Sequence, residues 1–324
     1  MAYSLHSAPV DTDPVTVTVT VVGSFVVGLT VRSERMPVSG ETLIGRDSDV
    51  GPGGKGSNQA VGAAQLGAQV HFAGIIGTDK MGDIATDLYA QAGVHAQCVQ
   101  RTALLPTGLA FILLDKDGYN RIILDLGANT LMDAAFVEGP CVAASLRHSQ
   151  VVMTVLEIPP AAAVRAMQLG KRSGAITMMN PAPATKLDPD AFQYIDYLTP
   201  NESELRILMG LAPDDATPTI ELARQLQARG ANTLIVTMGE NGALILTKTE
   251  QIHVPSIAVD VVDTTGAGDA FSAGLAVALG EGKPLLYAVR FANCCGALAC
   301  TKLGVVPAMA HRAEAEQLFA KTYG

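Results

Sequence analysis

The segment Val262-Asp263-Thr264-Thr265-Gly266-Ala267-Gly268-Asp269-Ala270-Phe271 joins a β-forming run at 257–262 to a helical pattern at 270–279. Gly266-Ala267-Gly268 falls where the helix should begin. Small residues let backbone N–H groups approach an anion, and a helix start supplies unpaired donors and partial positive charge. Asp269 follows directly. A carboxylate beside such a hole suits removal of a proton where negative charge develops. An ordinary glycine-rich turn with an acidic first-turn residue explains the same residues equally well.

Outward from this segment, strand and helix patterns alternate. Residues 15–22 are entirely Val and Thr and read as a strand. Four glycines in the six residues 51–56 precede an Ala-rich helical pattern at 58–66, ended by Gly67. Strands are expected at 70–76, 151–155, 175–179, 196–199, 233–238, 243–247 and 251–254. Helices are expected at 81–92, 160–172, 202–209, 220–229, 284–300 and 311–323. The alternation implies an α/β fold whose mostly parallel sheet is covered on both faces. Two stretches break it: 25–50, and 107–126, a hairpin around Asp117-Gly118. They are expected to form a smaller β unit beside one domain spanning 15–324. Residues 1–14 read as a disordered tail.

The chain has 324 residues, 48% hydrophobic, with net charge −9. It holds no basic run, no Trp and no apolar run of membrane length, so nucleic-acid and membrane partners lack support. The N-terminal residues lack the apolar core of a signal peptide, and a cytoplasmic protein is expected. Cys98, Cys141, Cys294, Cys295 and Cys300 show no CxxC spacing and are expected as reduced, mostly buried thiols.

Gly53-Gly54-Lys55-Gly56-Ser57-Asn58 can bring backbone close to a polar ligand, with Lys55 and Asn58 adding directed contacts, or can simply be a loop and cap. It is neither a Walker A sequence nor a dinucleotide fingerprint. Asn201-Glu202-Ser203-Glu204 reads as a helix cap, or as a Mg²⁺ and phosphate site working through waters. Thr237-Met238-Gly239-Glu240-Asn241-Gly242 joins two strands and can also border a nucleotide. Glu157, Asn201, Thr237 and 266–269 all fall at carboxyl ends of strands, where open α/β sheets bind ligands.

Together these residues resemble the ribokinase family of sugar kinases, the PfkB-type carbohydrate kinases. One signature is Gly53 through Ala60, with Gly67 and Gly77 beyond it; the other is Asp263 through Asp269. Between them stand Gly77-x-Asp79-x-x-Gly82, Gly127-Ala128-Asn129, Asn180-Pro181-Ala182-Pro183-Ala184, Thr199-Pro200-Asn201-Glu202-x-Glu204 and Thr237-x-Gly239. The likeness covers about 15–322 and favours the ribokinase branch.

The resemblance implies a three-layer αβα fold with a small β-sheet lid formed by 25–50 and 107–126. It implies transfer of the ATP γ-phosphate to a primary hydroxyl of ribose or a related pentose. Asp269 would be the general base, and the N–H groups of Gly266, Ala267 and Gly268 the anion hole. Gly54, Lys55, Gly56, Ser57, Asn58, Glu157 and Asp263 would hold the sugar. Asn201, residues 237–242, Gly268 and Asn293 would hold the nucleotide, and Glu204 would help hold Mg²⁺ through water. K⁺ would sit near Asp263, Thr265, Ala299, Lys302 and Gly304. A homodimer through the lid is implied.

Two departures stand out. Val26 and Gly28 replace an Asn-x-Asp pair that grips sugar hydroxyls in ribokinases, and Ala308 replaces a Ser hydroxyl at the K⁺ site. Nucleoside, ketohexose and phosphosugar kinases of the same fold are therefore alternatives, with Arg32, Arg35 and Arg46 able to meet a substrate phosphate. A catalytically silent sugar or nucleotide sensor is the alternative of another class. The cysteines beside Asn293 are expected to pack a helix rather than to act as nucleophiles.

Overall fold

A computed structural model describes residues 16–116 and 120–324. The expected tail at 1–14 and the Asp117-Gly118 turn lie outside these residues. In chain order the first elements are β1 (Thr18–Val22), β2 (Val26–Arg32), β3 (Arg46–Gly53), α1 (Lys55–Gln65), β4 (Gln69–Gly77) and α2 (Lys80–Ala92). Next come β5 (His95–Thr102), β6 (Gly108–Leu114), β7 (Asn120–Asp125), α3 (Ala134–Glu138), α4 (Pro140–His148), β8 (Val151–Val155), α5 (Pro160–Arg172) and β9 (Ile176–Asn180). The rest are β10 (Tyr197–Leu198), α6 (Glu202–Leu208), α7 (Thr219–Ala228), β11 (Thr233–Thr237), β12 (Ala243–Leu246), β13 (Gln251–Val254), α8 (Ala267–Gly280), α9 (Leu285–Ala299) and α10 (Arg312–Tyr323).

The large sheet runs β13-β12-β11-β10-β9-β8-β1-β4-β5. Every neighbouring pair from β11 to β5 is parallel, and β12 and β13 add an antiparallel edge. Strand side chains alternate between two apolar layers. Val19, Val21, Val151 and Met153 join α1, α8 and α9 on one face, while Val22 and Val152 join α4 and α5 on the other. Burial on both faces explains why β1 and β8 are continuous β-branched and apolar runs.

The second sheet, β3-β2-β6-β7, is the expected smaller β unit. The chain enters it just after β1, and polar clamps fix both points of attachment. Buried Asn129 accepts from Phe25 N (3.0 Å) and donates to Phe25 O (2.8 Å). The Asp79 carboxylate, which caps α2 at Gly82 N, also accepts from Thr107 N (2.7 Å) at the start of β6.

Two expectations need correction. The run 257–262 forms no strand. It leaves edge strand β13 and is used up in crossing to α8, which packs over β1 and β8. β-branched residues favour extended backbone but do not supply a pairing partner. Cys98 and Cys141 are not reduced thiols but a disulfide joining β5 to α4, their Cα atoms 5.6 Å apart. The fold packs α4 against edge strand β5, a neighbourhood that a sequence separation of 43 does not reveal. The strand β5 and the helices α3 and α4 were not anticipated, because their apolar periodicity is weak.

Candidate active site

Ser24, Glu157, Asn180, Thr199 and Thr237 lie at the carboxyl ends of β1, β8, β9, β10 and β11. The amino ends of α1 and α8 meet above them. The sequence allows this meeting only through glycine. Gly54, the N-cap of α1, has φ 92°, and a Cβ on Gly56 would lie 2.6 Å from Ser24 N and 2.7 Å from Gly23 Cα. Backbone thus rests on backbone where α1 leaves the smaller sheet.

Asp269 stands in the first turn of α8 and is 5% exposed. Its Oδ2 accepts from Asn58 Nδ2 (2.8 Å) and its Oδ1 from Gln59 Nε2 (3.1 Å). Gly266, the N-cap of α8, has φ 82°. Ala267 N–H donates to Thr264 O (3.2 Å), whereas the Gly266 and Gly268 N–H groups have no protein acceptor among the described residues. Gly268 is exposed and faces open space. The glycine turn therefore presents free donors next to a buried carboxylate.

Glu157 is 6% exposed. Its Oε2 accepts from Ser24 Oγ (2.6 Å) and from Lys55 N (2.8 Å). Burial pushes its carboxyl above the usual range, against the pull of Lys55 and these donors. Burial also raises Glu204, opposed by the Asn201 N–H and Lys55. Burial would lower the Lys55 ammonium, but the carboxylates of Asp269, Glu157 and Glu204 outweigh it and raise it. One cation thus sits in the field of three acids.

Asn201 and Glu204 form a reciprocal capping box: Asn201 Oδ1 accepts from Glu204 N (2.7 Å) and Glu204 Oε2 from Asn201 N (2.8 Å). The capping reading is therefore correct, and Glu204 Oε1 takes no protein hydrogen bond among the described residues. Asn201 pairs with Thr237 as an isolated parallel bridge, which brings the 237–242 turn beside it. Gly242 has φ 85°, and a Cβ there would lie 2.1 Å from Val254 O. Asn293 Nδ2 donates to Pro255 O (3.1 Å) and pins the crossing segment to α9.

Asp263 joins two loops. Its Oδ1 accepts from Thr265 N (2.9 Å) and its Oδ2 from Gly304 N (3.3 Å), while Cys300 O accepts from Val262 N (2.8 Å). Ala299 and Ala308 are buried, and Lys302 turns away to Glu314 (3.1 Å). Val26, 4% exposed, pairs with Gly53 and Gly108 at the root of the smaller sheet, and Gly28 lies one pleat further out.

The flap arginines have local partners. Arg35 pairs with Glu41, Arg46 with Glu34 (3.2 Å), and Arg32 donates to Asp47 O (2.7 Å). Cys294 and Cys295 are core residues as expected, and burial pushes the Cys294 thiol up to about 12. A cavity of about 600 Å³ at the amino ends of β9–β11, lined by Lys171, Asp196 and Lys248, contains none of the candidate residues. Reasoning from sequence missed Ser24 and Gln59. Gln59 was detectable as a polar residue directly before the small and apolar run Ala60-Val61-Gly62-Ala63-Ala64 of a helix that must pack, since buried amides need partners.

The pfkB family carbohydrate kinase model matches residues 17–312. The ribokinase of Haemophilus influenzae is 34% identical, over 92% of this chain and 96% of that protein. The deoxyribokinase of Salmonella typhi is 36% identical, over 78% and 82%. The structure of Arabidopsis thaliana ribokinase complexed with ribose and ATP superposes with a TM-score of 0.86 at 30% identity, covering 94% of this chain and 99% of that one.

Proposed function

The chain belongs to the pfkB family of carbohydrate kinases, phosphotransferases that act on an alcohol group, and we propose that it moves the γ-phosphate of ATP to a primary hydroxyl of a small sugar, ribose or a related pentose. The observation that carries this reading is the buried Asp269 carboxylate beside the open Gly266 and Gly268 N–H groups. Asp269 takes the hydroxyl proton as the oxygen attacks phosphorus. The open N–H groups, with Ala267 beside them, meet the charge that builds on the phosphoryl oxygens. Lys55 and Asn58 orient the sugar, helped by Glu157 and the 54–57 backbone, and Asp263 borders it. Asn201 and the 237–242 turn, with Asn293 behind them, frame the nucleotide. The lid excludes water, which limits ATP hydrolysis.

The donors present fit the implied ions. Among the described residues no three acids or histidines gather to hold a metal by themselves. A single open carboxylate oxygen on Glu204 suits Mg²⁺, which keeps waters and phosphate oxygens as ligands. Bound with ATP, Mg²⁺ would neutralise phosphate charge. Asp263, with the backbone of Thr265, Ala299, Lys302 and Gly304, would hold K⁺ where the two loops meet, without help from Ala308. Phe111 pairs with Ile123 on the lid, and both are exposed, as is Leu113. This apolar face supports a homodimer through the lid.

Val26 and Gly28 favour a second reading within the same chemistry. Neither side chain can hydrogen-bond a hydroxyl, so a deoxypentose forfeits no side-chain contact at these two positions. Coupled detection of ADP with ATP, Mg²⁺ and a panel of pentoses, deoxypentoses, nucleosides and phosphosugars tests both. Turnover of pentoses is expected, and the ratio of kcat/KM between deoxyribose and ribose ranks the two readings. Turnover of no sugar would overturn the proposal.

A further inference from the structure

Gln59 is 0% exposed and follows the buried polar residues Ser57 and Asn58 in α1, while the positions after it, Ala60 to Ala63, are small or apolar. Its amide nitrogen carries two hydrogens and meets two acceptors, Asp269 Oδ1 (3.1 Å) and Asn180 Oδ1 (3.2 Å). Its carbonyl oxygen has no partner among the described residues. A fully buried amide with one atom unpaired does not maximise stability, because an unmet buried acceptor is costly. Reversing the amide would set oxygen against two oxygens, so its orientation is fixed.

The constraint continues behind it. Asn180, at the end of β9 and 8% exposed, donates through Nδ2 to Thr199 O (2.8 Å). Thr199 N in turn donates to Met179 O (3.0 Å) in the sheet. A single directed chain therefore runs from the sheet backbone through Asn180 and Gln59 to one oxygen of Asp269. Asn58 holds the other oxygen.

We propose that Gln59, braced by Asn180, is a positioning residue that fixes the plane of the Asp269 carboxylate for proton abstraction. The proposal rests on Asp269 acting as base. With Asn58 alone, the carboxylate could pivot about a single contact. With Gln59 it is held at both oxygens, and each oxygen keeps a lone pair for substrate.

The test uses Gln59→Met, similar in length but without donors, and Asn180→Ala, each in the full-length protein. Gln59→Met is expected to lose roughly 10- to 100-fold in kcat, the scale of one hydrogen bond to a charged group. KM for ATP should stay within about two-fold, because none of the residues proposed to frame the nucleotide belongs to this chain of contacts. Asn180→Ala should lose less, about 3- to 10-fold, since Gln59 remains but swings more freely. In an Asp269→Asn background, Gln59→Met should cost less than about two-fold more. Crystal structures should show the Asp269 carboxylate rotated or split in Gln59→Met. An unmoved carboxylate, kcat within two-fold of wild type, or an equal loss in the Asp269→Asn background would each overturn the proposal. If the wild type phosphorylates no sugar, the proposed function fails, while the position of the carboxylate still decides whether Gln59 holds it.

Discussion

The two glycine-rich helix starts look alike in sequence and are used in opposite ways. At α1 every leading donor is consumed inside the protein: Lys55 N by Glu157, Gly56 N by Ser24 Oγ (3.3 Å), Ser57 N by Ser24 O (2.9 Å), and Asn58 N by Gly54 O (2.8 Å). Gly56 is buried and has no room for a methyl group. At α8 the donors of Gly266 and Gly268 stay free, and Gly268 borders open space. One glycine cluster builds a floor and the other leaves a mouth. A glycine-rich turn before a helix is therefore only a capacity for close approach, and what approaches, backbone or ligand, depends on what the fold brings opposite it.

The residue shared by both helix starts gives the largest expected effect. Asp269→Asn should lower kcat by about 10³-fold, within the range for a lost general base, while ATP binding measured by calorimetry stays near wild type. Near-normal turnover would remove Asp269 from the base role and leave α8 with its donors alone.

The contrast itself can be broken next. Gly56→Ala should destabilise the fold by about 3 kcal/mol, as overpacking against backbone does, in denaturant unfolding. Gly268→Ala should change stability by less than about 0.5 kcal/mol, because nothing opposes the methyl group. It should instead cost about 10-fold in kcat by crowding the phosphate approach. If the two variants behaved alike, the floor and mouth distinction would be wrong.

A smaller effect sharpens the picture of the floor. The Glu157 carboxyl is raised by burial, so the folded state holds its proton more tightly than the unfolded chain does. Its stabilising contribution is complete below the unfolded value of 4.5 and is lost as pH rises through the folded value. Glu157→Gln keeps an acceptor for Ser24 and Lys55 N. It should match wild type near pH 4 and melt roughly 1–3 °C higher at pH 8, while losing sugar affinity. A thermal-shift series across pH reads this, and a constant difference at all pH values would show that Glu157 is not penalised by burial.

The alternation of strand and helix patterns, with Gly67, Asn201 and Gly266 marking helix ends and starts, determines the α/β architecture. The period of apolar residues and the left-handed backbone that glycine allows are local properties, legible along the chain. The same locality makes the β-branched run at 257–262 misleading, because extended backbone became a strand only where a neighbour was available to pair. It also hid the disulfide between Cys98 and Cys141 and the bridging amide of Gln59, whose partners lie 121 and 210 residues away. The sequence by itself determined which residues could bind or catalyse, through residue chemistry and short-range backbone freedom. Only the tertiary structure decided which glycine turn keeps its donors and which amides hold Asp269, because hydrogen bonds and exclusion of atoms act between segments that only folding makes neighbours.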